Sequence, residues 1–252
     1  LAARDGSGRL KAVLANYACH CTTLGHQVNG HHGDWAGFAQ EAIELDHPGS
    51  MAMISIGCGA DANPSPRGGD DFGMALARAH GRALADAAGK VLAGTLQPLP
   101  PTCEGRVSRL TLGFAPLPDR PEWERRAGEQ GIVGYHARKN LARLDRGETL
   151  PTTLAYPVQT WAFGDRLAMV FLAGEVVVDY AIRLGEVLDP ARLWITAYAN
   201  DVPCYIPSKR ILAEGGYEAE TSLWYYDRPA RLVPATEDQI VSEVVAQLSG
   251  RF

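Results

Sequence analysis

The sequence predicts an α/β protein, a layered sheet with flanking helices and a site at the carboxyl ends of the strands. Three observations carry this. Short runs rich in Val, Ile, Leu and Met alternate with longer stretches whose apolar residues recur at helical spacing. Gly and Pro, 27 and 16 in number, punctuate the boundaries between them. Four polar clusters follow four of the predicted strands at equivalent places, where open α/β sheets form their sites.

In chain order, Asp5-Gly6-Ser7-Gly8 is hairpin-turn chemistry. It separates a strand at 1–4 from a run over 10–20 in which Val13, Leu14, Tyr17 and Ala18 suit a buried strand. Asp34 stands where an N-cap would, ahead of a helix over 35–45 with Trp35, Phe38, Ala42 and Leu45 at helical spacing. A short apolar strand over 50–57 leads into the Gly- and Pro-rich loop around Asp61 and Asn63, and an alanine-rich helix covers 71–93. Residues 97–101 are a linker, and 106–114 alternates as a half-exposed strand does. The charged stretch 116–146 predicts surface helices over 122–129 and 135–146. Strands over 156–163 and 167–173 are joined by Gly164-Asp165, a strong hairpin signal. A helix over 175–188, a strand over 193–198 and an amphipathic helix over 236–248 close the chain.

Composition narrows the function. With 252 residues, 46% hydrophobic and 21% charged, the chain has enough apolar content for a core and too little charge for disorder. A net charge of −5 without a Lys/Arg block argues against a nucleic-acid partner. The longest apolar run, 167–173, falls well short of the ~18 residues of a membrane span, so no transmembrane segment is expected. Five scattered cysteines without a CxxC pair fit neither a disulfide scaffold nor a structural zinc knuckle.

The polar clusters are His20, Asp61 with Asn63, Glu175, and the Asn200-to-Tyr205 loop. His20 reads either as a hydrogen-bonded structural residue or as part of a site. Strand alternation puts it on the face of Ala18 and Thr22, opposite Cys19 and Cys21, so neighbouring Cys and His make a poor dyad. His26, His31 and His32 fall in a Gly-rich loop and read as solvated or as metal donors. Glu175 reads as a carboxylate favoured by the helix dipole in a first turn, or as a metal ligand or general base. Tyr205 reads as a loop aromatic or a site residue, and the segment Gly215-Gly216-Tyr217-Glu218 as a turn or a lid. The run Leu223-Trp224-Tyr225-Tyr226 reads as packing or as a pocket wall.

Together these residues resemble the neutral (non-lysosomal) ceramidase family, in its zinc-bearing catalytic domain. The likeness starts at Asn16-Tyr17-Ala18-Cys19-His20-Cys21-Thr22-Thr23 and continues to Asp34-Trp35-Ala36-Gly37. It extends through Gly59-Ala60-Asp61-Ala62-Asn63-Pro64, Gly174-Glu175, and Asn200 with Tyr205-Ile206 and Tyr217-Glu218. Each motif alone is weak; four in order across nearly the whole chain are specific. The resemblance implies a zinc amidase that cleaves an N-acyl bond, ceramide being the family's substrate, through a metal-activated water. It assigns His20, Glu175 and Tyr205 as zinc ligands, with Asp61, Asn63 or a residue outside this chain orienting water or stabilising the oxyanion.

Two departures qualify the assignment. The family's upstream His-x-His-Ser/Thr motif has no counterpart before His20, so residues 1–252 correspond to the C-terminal portion of a single catalytic domain. A companion segment or chain is then expected to supply a further histidine. Asn63 stands where better-known ceramidases carry a catalytic serine, and an amide is no nucleophile, though it can donate to an oxyanion. That departure bears on ceramide as substrate more than on metal-assisted hydrolysis, and with no lipid-anchoring helix or basic membrane-binding patch in the sequence a smaller or soluble N-acyl substrate is the expectation. Two other readings stay open: a metal-free hydrolase using Cys58 or Cys204 with His20, and a non-catalytic ceramidase-like subunit.

Overall fold

Asp5 makes the first turn. Its Oδ1 accepts from the N–H groups of Ser7 and Arg9, both at 3.0 Å, which reverses the chain between β1 (Ala2–Arg4) and the antiparallel β2 (Leu10–Tyr17). The computed structural model describes residues 1–69 and 71–252. The chain divides into two compact units, Leu1–Leu99 and Pro100–Phe252, and the division falls in the stretch that reads as a linker.

In the first unit, β3 (Met51–Ile56) pairs in parallel with β2, with Val13 beside Ala52. Two helices, α1 (Asp34–Asp46) and α2 (Met74–Ala93), cover one face of this three-stranded sheet. Val13, Ile43, Ala52 and Ala85 form the core between them. The small residues Ala77, Gly81 and Ala85 recur every fourth position of α2 and are buried, so one turn stacks above the next along the contact. A Cβ on Gly81 would lie 2.6 Å from the Phe38 Cβ and 2.7 Å from the Trp35 carbonyl oxygen. Two sequence expectations change here. Asp34 is the first residue of α1 rather than its cap, at φ 51°. Its carboxylate instead accepts from the Leu24 and Trp35 N–H groups at 2.9 and 2.6 Å, tying the preceding loop to the helix. Strand β2 stops at Tyr17 rather than His20, because its ladder partner β3 ends at Ile56 and the chain beyond enters the 57–64 loop.

The second unit is built on a four-stranded sheet in the order β4 (Glu104–Gly113), β5 (Thr153–Phe163), β6 (Leu167–Leu172) and β8 (Leu193–Thr196). The first three strands are antiparallel neighbours, with the expected hairpin between β5 and β6, and β8 joins β6 in parallel. Helices α3 (Arg120–Ala127) and α4 (Gly131–Asp145) pack on each other around Trp123 and Ala137. Helix α7 (Ala235–Leu248) lies on β4 and β5 and buries Ile240, Val244 and Leu248. Its Gln247 accepts from Thr160 Oγ1 and donates to Ser108 Oγ, each at 2.9 Å, so this buried amide is satisfied from the strands beneath it.

The segment after β6 departs from expectation. Glu175 does not open a helix: Glu175–Val176 form a short strand, β7, and helix α5 starts only at Asp179 (Asp179–Val187). Strand β7 pairs in parallel with β9 (Tyr205–Ile206), setting Glu175 opposite Tyr205. The helix-dipole reading of Glu175 is thereby removed. Helix α6 (Lys209–Glu214) and a 3-10 turn over Thr221–Trp224 follow. With three sheets flanked by helices, the α/β layering matches the predicted class.

Candidate functional site

In the first unit the parallel β2–β3 pair delivers two of the predicted clusters to its carboxyl edge. His20 is bonded to the 57–64 loop twice: its backbone N–H donates to the Ala62 carbonyl at 2.9 Å, and its Nε2 lies 2.7 Å from the Ala60 carbonyl oxygen. A carbonyl only accepts, so Nε2 is the donor in this contact. A metal-binding histidine is oriented in this way, by a carbonyl on its other nitrogen. The contact requires Gly59: a Cβ there would fall 2.4 Å from the Ala18 carbonyl carbon and the Cys19 nitrogen. The Asn63 Oδ1 accepts from Thr22 Oγ1 at 2.9 Å and from Arg67 Nη1 at 2.6 Å, which leaves Nδ2 as the donor end of the amide. Asp61 is half-buried on the same loop, near enough to Cys58 to oppose loss of the thiol proton. A cavity of about 550 Å³ adjoins Asn63, with Tyr17, Trp35, His80 and Leu84 among its walls and, among the described residues, no Asp, Glu, Lys or Arg in its lining.

In the second unit the parallel β6–β8 pair does the same for Glu175 and the loop that ends at Tyr205. Gly174 sets this up at φ 80°. Its N–H donates to the Asp201 carbonyl at 2.9 Å, its own carbonyl accepts from Tyr198 at 3.0 Å, and the Glu175 N–H donates to Cys204 at 3.0 Å. The Glu175 carboxylate is buried, with three tyrosine hydroxyls on it. Tyr198 donates to Oε2 at 3.1 Å, Tyr226 donates to Oε1, and Tyr205 also hydrogen-bonds the carboxylate. Burial, and then the Glu175 charge, push the Tyr205 hydroxyl far above its ordinary range. For Tyr226 the causes are burial and then the hydrogen bond to Glu175. Tyr217 stands edge-on to Tyr205 at 5.5 Å between ring centroids.

The predicted residues therefore come together in two groups, His20 with Asp61 and Asn63 in one unit and Glu175 with Tyr205 in the other. Tyr198 and Tyr226 are the residues the sequence did not single out. Tyr226 lay inside an aromatic run with no mark separating it from Tyr225, which is exposed. Loop histidines His26, His31 and His32 are exposed, and His32 Nδ1 accepts from the Asp34 N–H at 2.8 Å. Burial pushes both Cys58 and Cys204 up to about 12, the reverse of the shift a thiolate nucleophile needs.

Among the described residues no group of three His, Cys, Asp or Glu side chains is placed to hold a metal ion. Tyrosine broadens the donor set. A carboxylate and a phenol in hydrogen-bonding contact are two oxygen donors to one point, and a cation there would reverse the charge effect that now holds Tyr205 protonated. The donor chemistry of Glu175 and Tyr205, two oxygen ligands side by side in the second unit, fits a divalent metal.

The fold so described is similar to that of two solved structures. The chain superimposes on a neutral ceramidase from Pseudomonas aeruginosa with a TM-score of 0.64 and 17% identity, over 97% of this chain and 45% of that one. A ceramidase in complex with C2 gives a TM-score of 0.65 and 18% identity, over 96% of this chain and 46% of that one. The fold is ceramidase-like, and the chain spans under half the length of these structures. No family model matches the sequence, and no curated protein matches it.

Proposed function

We propose that this chain carries part of the active site of a zinc-dependent hydrolase that cleaves an N-acyl amide bond. The observation that carries the reading is the buried Glu175 carboxylate, set by strand register against Tyr205 and ringed by hydroxyl donors. A ceramidase-like fold along nearly the whole chain supports it. In this reading His20, Glu175 and Tyr205 hold the zinc, and a polypeptide segment outside this chain adds a further histidine. When bound, zinc supplies Lewis-acid polarisation of the amide carbonyl and acidifies water. The chain's own residues do the rest. Asn63, its carbonyl end occupied by Thr22 and Arg67, donates from Nδ2 to the developing oxyanion. Asp61 orients the attacking water. Tyr198 and Tyr226 fix the Glu175 rotamer. The cavity beside Asn63, walled in part by Tyr17, Trp35 and Leu84, takes the apolar part of the substrate, whether that belongs to ceramide or to a smaller N-acyl amide.

Metal analysis of the purified protein, with any co-purifying polypeptide, together with hydrolysis of N-acyl amides of graded chain length, tests this. About one zinc per site is expected, with losses of at least about 100-fold in His20→Ala and Glu175→Ala, beyond the effect of an outer-shell change. Full activity in both variants would sink the proposal.

A further inference from the structure

We propose that the second unit holds a binding pocket for a small organic carboxylate, built around the guanidinium of Arg228. The inference goes beyond the hydrolase reading and does not depend on it. A cavity of about 260 Å³ has three arginines in its lining, Arg126, Arg228 and Arg231, against a single acid among the described residues, Glu220. Two of the three are already matched: Arg126 pairs with Glu122 at 2.6 Å and Arg231 with Glu220 at 3.2 Å.

Arg228 is different. It is half-buried, its Nε donates to the Pro203 carbonyl at 2.9 Å, and among the described residues it forms no ion pair. A permanent cation withdrawn from water against neutral partners is costly unless an anion completes it. The Pro203 bond engages the Nε side, so the paired Nη groups remain for a planar, two-oxygen acceptor.

The remaining walls choose among anions. Pro116, Leu223 and Trp224 offer apolar and aromatic surface, which suits a carboxylate carrying a short hydrocarbon body and disfavours a dianionic phosphate that would lose its hydration there. The volume lies near the ~300 Å³ lower bound of small-molecule sites, so the body is limited to a few carbons.

The test is an NMR titration of the whole chain, following the Trp224 indole N–H with butyrate, butanamide and inorganic phosphate as probes. Butyrate is expected to shift the resonance saturably, with butanamide and phosphate at least about tenfold weaker, as loss of a charge-assisted pair implies. Arg228→Gln should weaken butyrate by a similar factor. Because Arg228 also holds the Pro203 carbonyl, Ala230→Leu provides a second variant that fills the cavity and keeps the guanidinium; it too should abolish the shift. The proposal is overturned if butanamide or phosphate binds as tightly as butyrate, if both variants bind butyrate normally, or if no saturable shift occurs.

Discussion

Gly174 shows how much of the candidate site hangs on one missing methyl group. Its φ of 80° is strained for any L side chain, and a Cβ there would meet the Cys204 carbonyl oxygen at 2.6 Å and Ile206 Cγ1 at 2.9 Å. The obstacles are Ile206 in β9 and Cys204 just ahead of it, so relief of the clash requires β9 to move away from Glu175. The backbone strain alone costs about 1–3 kcal/mol. Gly174→Ala is therefore expected to lower the stability of the chain by at least that amount in denaturant unfolding, and to break the Glu175–Tyr205 register, read as loss of the protected Glu175 amide in hydrogen exchange. A variant that unfolds like the wild type would contradict the role given to Gly174. Gly59 performs the parallel service for His20: Gly59→Ala should push the 57–64 loop off the Ala18–Cys19 backbone and lengthen the His20–Ala60 contact, visible as a change in the His20 ring-nitrogen shifts.

Between elements, the tie that matters most is the one from helix α4 to the chain beside Tyr226. Asp227, at φ 56°, accepts from Arg143 Nη1 at 3.0 Å and pairs with Lys139 at 2.9 Å. Burial alone would raise the Asp227 carboxyl, but these two cations outweigh it and hold it below the usual carboxylate range. The residue before it is Tyr226, whose hydroxyl rests on Glu175. Arg143→Gln should cost about 1–3 kcal/mol and loosen the Tyr226 ring, measured by unfolding and by tyrosine ring-flip rates; an unaltered ring would separate α4 from the site. Contacts of this kind lie outside what periodicity reports. The helices and strands were legible because apolar spacing repeats locally, and the carboxyl-edge rule found His20, Asp61, Asn63, Glu175 and Tyr205 because strand ends are readable from turn residues. Strands β7 and β9 were not legible. Each is two residues long and exists only because the other is alongside, with Gly174 turning the chain from β6 into β7. Tyr198 and Tyr226 share that limit, since a hydroxyl's partner 23 or 51 residues away in sequence leaves no local pattern.

For the molecule as a whole, pH resolves which charges hold it together. Most of the acids with depressed values are exposed ones in surface pairs, such as Glu122, held at about 2 by Arg125 and Arg126, and pairs of this kind contribute little. What they do contribute is lost only in strong acid. His136 acts in a different range. It is buried against Trp123, and burial first, then Arg143, Arg126 and Lys139, lower its affinity for a proton below the ordinary 6.5, with Asp227 pulling the other way. The hydrogen bonds agree. Arg143 donates to Asn140 Oδ1 at 3.0 Å, so the Asn140 amide turns its Nδ2 to His136 Nε2, also at 3.0 Å, and that nitrogen must accept. Protonation would set two donors face to face. Below pH 6.5 the unfolded chain takes up a proton that the folded chain refuses, so stability falls as pH falls through that region until the lowered folded value is passed. The slope is at most about 1.4 kcal/mol per pH unit for one such group. Denaturant midpoints measured from pH 7.5 downward should show this decline well before the carboxylates titrate. In His136→Gln, which keeps a polar side chain beside Asn140 but does not titrate, the decline should vanish whatever the variant costs at neutral pH. An identical slope in both proteins would assign the acid sensitivity to another group.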